Sequence, residues 1–360
     1  MPAEFTCPPP FDAACAALAQ DGRPVARLEP LAGDSSTRRY ARVRFAPGAR
    51  AGETDAAILV HHPAELADVP DRFLRTGELL RAAGVRVPRI LADGGARAVD
   101  DGGRWLLVED LGPHTVWQRA QAQQARHGAL DPVALDWDGL EPHYADALDV
   151  IARLRRVPMD AVAALNPPLD RALLTRELAQ TWDAFLTPRG VDGALADDLR
   201  DALDAVIDRV VARPQVVCHR DFMVRNLVPL PRTDGALGVI DHQDTRLGPD
   251  TYDLASLLHD SIFPSDARVD AWIDDAATRL RGVDPDAAPD APDRWRDAVR
   301  CAAVQRTLKA LGTFARCVAR GSQVHGQHIP GTQARALALL GQVAETQHLA
   351  APLAAALGRS

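Results

Sequence analysis

The sequence predicts an α+β chain of two lobes, a small antiparallel β lobe carrying one helix and a large, mainly helical lobe after it. Three observations predict it. Short alternating or apolar runs bounded by turn residues crowd residues 23–108. After Gly112-Pro113 the texture changes to long stretches of helical spacing. Those stretches are interrupted once, by short strands between 215 and 241. A length of 360 residues accommodates about two domains. The expected division is an N-terminal extension at 1–22, a first lobe at 23–110 and a helical lobe at 111–360.

Taken in order, the Pro- and Ala-rich start holds a short helix from Phe11 to Ala19. Strands follow at 25–31, at 39–45, where Tyr40, Val43 and Phe45 are the large apolar members, and at 56–60. Phe73, Leu74, Leu79 and Leu80 place a helix over 71–83. Further strands are expected at 89–91, 96–99 and 105–108, with Asp101-Gly102-Gly103 as a turn. In the second lobe, helices are expected at 141–156, 170–186, 194–212, 265–281, 292–320 and 332–356, and strands at 215–218, 226–230 and 236–241.

Composition removes several function classes. Asp plus Glu, 49, exceeds Lys plus Arg, 41, so the chain carries −8, the wrong sign for a protein that lives on phosphate backbones. No apolar run approaches the length of a membrane span, and no secretory leader pattern opens the sequence. The 5 cysteines are odd in number and scattered without a C-x-x-C, which suggests neither a disulfide framework nor a zinc site. A soluble, reduced, cytoplasmic protein is expected. The chain has one lysine, Lys309, and two asparagines, Asn166 and Asn226. Such a bias accords with GC-rich coding and makes each survivor informative.

The stretch Val217-Cys218-His219-Arg220-Asp221-Phe222-Met223-Val224-Arg225-Asn226 reads H-R-D-x-x-x-x-N. Phosphoryl transfer explains that spacing. A carboxylate must orient an acceptor hydroxyl, and a neutral oxygen ligand a few residues on must reach a magnesium ion on the nucleotide phosphates. Asp221 and Asn226 supply the two from one loop, at 217–226. A second metal carboxylate is expected at the end of a nearby strand, and the run 237–241 ends in Asp241. A lone His or Asp in such places is more often a structural hydrogen-bonding residue. The ordered set in strand–loop–strand context favours chemistry.

With these residues the sequence resembles the protein-kinase superfamily and, within it, the aminoglycoside phosphotransferase family. The run from Gly248-Pro249-Asp250 through Asp253 to Leu258 carries the likeness further. It is most similar to the anomeric kinases of N-acetylmuramate and N-acetylglucosamine in bacterial cell-wall recycling. That narrower likeness rests on Ala32 to Tyr40, Leu106 to Gly112 and Gln305-Arg306-Thr307-Leu308-Lys309-Ala310-Leu311-Gly312-Thr313-Phe314-Ala315. The resemblance implies a protein-kinase-like fold and an ATP- and Mg2+-dependent kinase acting on a small amino-sugar. Asp221 is implied as base or orienter, and Asn226 and Asp241 as magnesium ligands. His219 and Asp253 are implied to support the loop behind them. Ser35, Ser36, Thr37 and Arg38 are implied to cover the phosphates, and backbone groups from Glu109 to Leu111 to meet the adenine.

The sequence also departs from the family pattern. The strand lysine that pairs nucleotide phosphates is absent, since positions 57–60 are apolar, and Arg38, Arg39 or Arg42 would have to replace its charge. Asp241 is followed by His242-Gln243-Asp244, not by Phe-Gly. Two alternatives stay open: an aminoglycoside antibiotic as acceptor, and a nucleotide-binding pseudokinase that regulates. The pair His61-His62, whose side chains on a strand face opposite ways, is not expected to bind metal. The stretch His325 to His328 is expected as a loop, and the six tryptophans mainly as packing residues.

Overall fold

The computed structural model of the protein describes residues 8–31, 37–48, 56–95, 103–127, 135–231, 237–260, 262–283 and 291–358. Helix α1 (Asp12–Gln20) leads into strands β1 (Val25–Leu31), β2 (Arg39–Phe45) and β3 (Ala56–His62). Helix α2 (Val69–Ala82) and strands β4 (Ile90–Asp93) and β5 (Arg104–Glu109) complete the first lobe. The five strands form one antiparallel sheet in the order β1-β2-β3-β5-β4. Expected strand 96–99, the Asp101-Gly102 turn, Ser35 and Ser36 lie outside the described residues.

Two-residue periodicity explains why both faces of this sheet are covered. Ala57 and Leu59 pack with Ala41, Val43, Trp105 and Leu107 against Phe11, Ala14, Cys15 and Leu18 of the N-terminal segment. Val60, Leu106 and Val108 face the other way, onto Phe73 of α2. The first 22 residues were expected as an extension. From Phe11 they are instead part of the first lobe's core, because α1 is the only described element that covers one sheet face. Cys15 is disulfide-bonded, contrary to the reading of scattered free thiols. Cys218 and Cys301 are buried and form no disulfide.

The second lobe opens with α3 (Val116–His127), α4 (Trp137–Leu154), α5 (Met159–Ala163), α6 (Arg171–Thr181) and α7 (Gly193–Val211). Asp136 and Asp170 cap α4 and α6, accepting from the backbone N–H groups of Gly139 and Leu173. Two short two-stranded antiparallel sheets follow. Strand β6 (Gln215–Cys218) pairs with β9 (Arg246–Pro249), and β7 (Leu227–Pro229) pairs with β8 (Leu237–Val239). Helices α8 (Tyr252–His259), α9 (Asp266–Val283), α10 (Pro292–Ala319), α11 (Gln323–Gly326), α12 (Ile329–Leu340) and α13 (Ala350–Leu357) finish the chain.

Helix α10 runs 28 residues through the middle of this lobe and packs against α6, α7, α8, α9 and α12. The helix expected over 332–356 is two helices. Thr346 turns its hydroxyl back onto Leu340 O at 2.7 Å, taking up a carbonyl at the end of α12 and stopping it there. The stretch 325–328 is not a loop: His325 lies in α11, and His328 is the residue before α12. Among the described residues, no helix is long and apolar enough to cross a membrane.

Candidate active site

The two small sheets bring the chemistry-bearing residues together. The loop 219–226 joins β6 to β7, and Asp241 follows β8. Ile240 N donates to Asn226 O at 3.0 Å, and the His219 ring Nε2 lies 3.1 Å from Ile240 O. The loop and the strand that ends in Asp241 are thus tied edge to edge. Two non-glycine residues with described backbone take positive φ, Arg220 at 78° and Asp241 at 63°. Both sit where the loop must turn sharply to present a carboxylate, and a left-handed backbone costs about 1–3 kcal/mol when the residue is not glycine.

Asp253 on α8 supplies the restraint. One carboxylate oxygen accepts from His219 N at 2.6 Å and the other from Arg220 N at 2.9 Å. Its burial raises its carboxyl above the ordinary range, against the pull of His219 and these two N–H groups.

Asp221 lies at the centre, its side chain about a quarter exposed, at 25%. Arg306 Nη1 donates to its Oδ1 at 3.1 Å, and Lys309 Nζ lies 3.6 Å from the same oxygen. Burial opposes ionisation, but Lys309, Arg220 and Arg306 outweigh it and hold the carboxyl far below its usual range. Among the described residues, every side-chain hydrogen bond and ion pair given to Asp221 falls on Oδ1. That leaves Oδ2 as the oxygen these partners do not take.

Asn226 and Asp241 provide hard oxygen donors. Asn226 Nδ2 donates to Asp221 O at 2.8 Å, so the amide nitrogen, not its oxygen, holds the loop. Asp241 Oδ1 accepts from Arg38 Nη2 at 2.9 Å and from Gln243 Nε2 at 3.0 Å. Magnesium binds through one or two protein oxygens, keeping its other positions for phosphate and water. The pair fits that habit. No cluster of three or more His, Cys, Asp or Glu that could hold a metal occurs among the described residues.

The three candidate replacements for the strand lysine separate in space. Arg38 sits on Asp241, with its guanidinium 5.6 Å from the Tyr40 ring centroid. Arg42 is committed to the connector between the lobes, donating through Nε to Asp110 at 2.6 Å and through Nη2 to Gly112 O at 3.2 Å. Arg39 and Thr37 are exposed.

At the connector, the Glu109 carboxylate is taken up by Arg86 and Arg89. Arg86 grips it with two bonds of 2.8 and 2.7 Å, and Arg89 N adds a third at 3.1 Å. Burial resists, yet these partners hold Glu109 down at about 2. Leu111 lies over Gly238: a Cβ there would stand 2.5 Å from Leu111 Cδ1, so glycine is what lets the connector close on β8.

Behind Asp241, His242 is fully buried under α2. Its Nε2 lies 3.1 Å from Phe73 O, and burial pushes it down to about 3, so the imidazole is neutral and donates. Asn166 Nδ2 donates to Gln243 O at 3.0 Å and Thr245 O at 2.9 Å, fixing the segment after Asp241. Both asparagines of the chain are therefore in or behind the site. Beside the loop, Arg225 lies 4.4 Å from the Trp117 ring centroid and 3.3 Å from His328 Nε2. The sequence reading assigned no role to Glu177, Arg306 or Lys309. The uniqueness of Lys309 was the one signal that could have singled it out.

Residues 27–289 match the phosphotransferase enzyme family. The chain belongs to that family. It is 31% identical over 303 residues to an N-acetylmuramate/N-acetylglucosamine kinase of Pseudomonas putida, covering 81% of this chain and 77% of that one. Its identity to the Neisseria meningitidis protein of the same name is 30% over 309 residues, covering 83% and 81%. Among solved structures, an aminoglycoside phosphotransferase of Streptomyces rimosus in complex with ADP and streptomycin superposes with a TM-score of 0.52 at 18% identity, over 83% of this chain and 98% of that one. This likeness shows the kinase-like fold. As a member of the phosphotransferase family, the chain is a phosphoryl-transferring enzyme.

Proposed function

We propose that this phosphotransferase moves the γ-phosphoryl group of ATP to a sugar hydroxyl. The acceptor we favour is the anomeric hydroxyl of N-acetylmuramate or N-acetylglucosamine, giving a sugar 1-phosphate. The observation that carries the reading is Asp221. It is held below its usual range by its cationic neighbours, bonded through one oxygen, and placed on the same loop as Asn226, beside the strand that leads to Asp241. A carboxylate so restrained orients a hydroxyl in line with a leaving phosphate. The names of the relatives supply the acceptor class.

In this reading Asp221 Oδ2 accepts from the acceptor hydroxyl and aligns its oxygen. Asn226 and Asp241 would hold magnesium, which when bound neutralises charge on the phosphates. Arg38 is the residue assigned to the charge of the missing strand lysine, because it is the candidate that reaches Asp241. Backbone groups of the connector around Glu109 to Leu111 would meet the base. Ser35, Ser36 and Thr37 remain assigned to the phosphates by resemblance. The cytoplasm, where ATP is supplied, is the proposed location.

The test is ADP release with ATP and magnesium against N-acetylmuramate, N-acetylglucosamine, glucose and kanamycin. Release with the N-acetyl sugars alone is the expected result. Release with kanamycin alone, or with no acceptor while ATP still binds, overturns it.

A further inference from the structure

The run 305–315 belongs to none of the phosphoryl-transfer motifs, yet it meets the site. Gln305, Leu308, Lys309, Gly312 and Thr313 recur at i, i+3, i+4, i+7 and i+8, one face of α10. That face lies on α6. Gln305 Nε2 donates to Glu177 Oε2 at 3.2 Å, Thr181 Oγ1 to Leu308 O at 2.8 Å, and Gln180 Nε2 to Thr313 Oγ1 at 3.0 Å. Gly312 sets how close the helices come. A Cβ there would stand 2.5 Å from Thr181 Oγ1 and 2.8 Å from Thr181 N, closer than a real Cβ approaches.

This close seam encloses a charge cluster. Lys309 Nζ lies 3.4 Å from Glu177 Oε1 and 3.6 Å from Asp221 Oδ1, with its side chain 16% exposed and that of Glu177 9%. Arg220 Nη2 donates to the same Glu177 oxygen at 3.0 Å, and Arg306 to Asp221 at 3.1 Å. From α8, Ser256 Oγ accepts from Arg306 Nη2 at 2.7 Å, and Asp260 stands 3.7 Å from it. Two guanidinium groups already flank the gap between Glu177 and Asp221. A compact ammonium with three donors suits what remains better than a third planar fork. In a chain where 40 of 41 basic residues are arginine, the one lysine stands at this position.

We propose that Lys309 and Glu177 are positioning residues for phosphoryl transfer. Glu177 fixes the ammonium, the ammonium and Arg306 take Asp221 Oδ1, and Oδ2 is thereby turned to the acceptor hydroxyl. The inference rests on the reading of Asp221 as the carboxylate that orients that hydroxyl. It adds a third support from the α6–α10 seam to those from β6–β9 and α8.

The test is steady-state kinetics with N-acetylglucosamine, ADP affinity by calorimetry and thermal melting on the wild type, Lys309→Met, Glu177→Gln and Asp221→Asn. Lys309→Met should lose about a hundredfold in kcat while acceptor KM and ADP Kd stay within about threefold, because misplacement of a group by about 1 Å acts on the transition state. Should Lys309→Met fail to fold, Glu177→Gln carries the same expectation. Labelling with 15N-lysine puts a single side-chain ammonium in the spectrum, and Asp221→Asn should shift it. A kcat within about threefold of the wild type in both variants, or an unmoved ammonium resonance, overturns the inference. If Asp221→Asn itself keeps turnover, the reading beneath the inference fails and takes the inference with it. If Asp221→Asn is dead while Lys309→Met is normal, the inference alone fails.

Discussion

The Arg38 guanidinium donates to Asp241 Oδ1 at 2.9 Å across 203 positions of sequence, joining the start of the first lobe's second strand to the carboxylate that follows β8. The contact places a cation at the candidate metal carboxylate, where the phosphates of a nucleotide would gather. Asp241 also accepts from Gln243, so its orientation survives loss of Arg38. Arg38→Met should therefore weaken ADP binding by about ten- to a hundredfold both with magnesium and in EDTA, since a guanidinium bound to phosphate contributes on the order of 1.5–3 kcal/mol. Calorimetry in the two buffers checks this, and equal affinity for wild type and variant in EDTA rejects the assignment.

Asp241→Asn should abolish the gain in ADP affinity that magnesium confers. The affinity in EDTA should change little. If magnesium strengthens ADP binding equally in wild type and variant, Asp241 is not the ligand.

Asp221→Asn should reduce turnover by more than tenfold, because the amide presents a weaker acceptor to the hydroxyl. The fold should persist, since Glu177 and Asp260 remain to pair with Lys309 and Arg306. Retention of more than about a tenth of the wild-type rate contradicts the role of this carboxylate.

Asp253→Ala removes the acceptor of two backbone N–H groups, those of His219 and Arg220. Each orphaned buried donor costs about 1–3 kcal/mol. Chemical denaturation should show a loss of that order, and turnover should fall with it because Arg220 would relax from its positive φ. A variant of unchanged stability shows that water replaces the carboxylate.

Glu109 gives a pH signature. Its folded value of about 2 lies below the ordinary 4.5, so it contributes stability that is fully present above about pH 5 and is lost as pH falls toward 2. Glu109→Gln should lower the melting temperature at pH 7 and flatten its dependence on pH between about 5 and 3. Parallel pH profiles for wild type and variant rule out this linkage.

Sequence alone was enough for the order of the lobes and the single sheet ahead of the helices, and it picked out His219, Asp221, Asn226, Asp241 and Asp253, which the structure gathers around one loop. These are local statements. A strand's alternation, a helix's spacing and the five positions from Asp221 to Asn226 each constrain atoms within a few bonds or turns of one another. The single helix over 332–356 was misread, because α12 is ended by a side-chain bond from Thr346, and the packing of α1 on one sheet face was not legible in its sequence. What only the tertiary structure decided is which cation serves which carboxylate. Arg38 reaches Asp241, Arg42 turns to the connector, and Lys309 enters the site from α10 beside Glu177 of α6. Helical periodicity says which residues share a face, but not which face another helix covers or how near it comes. That distance is set by contacts such as Gly312 on Thr181, between residues 131 positions apart in sequence.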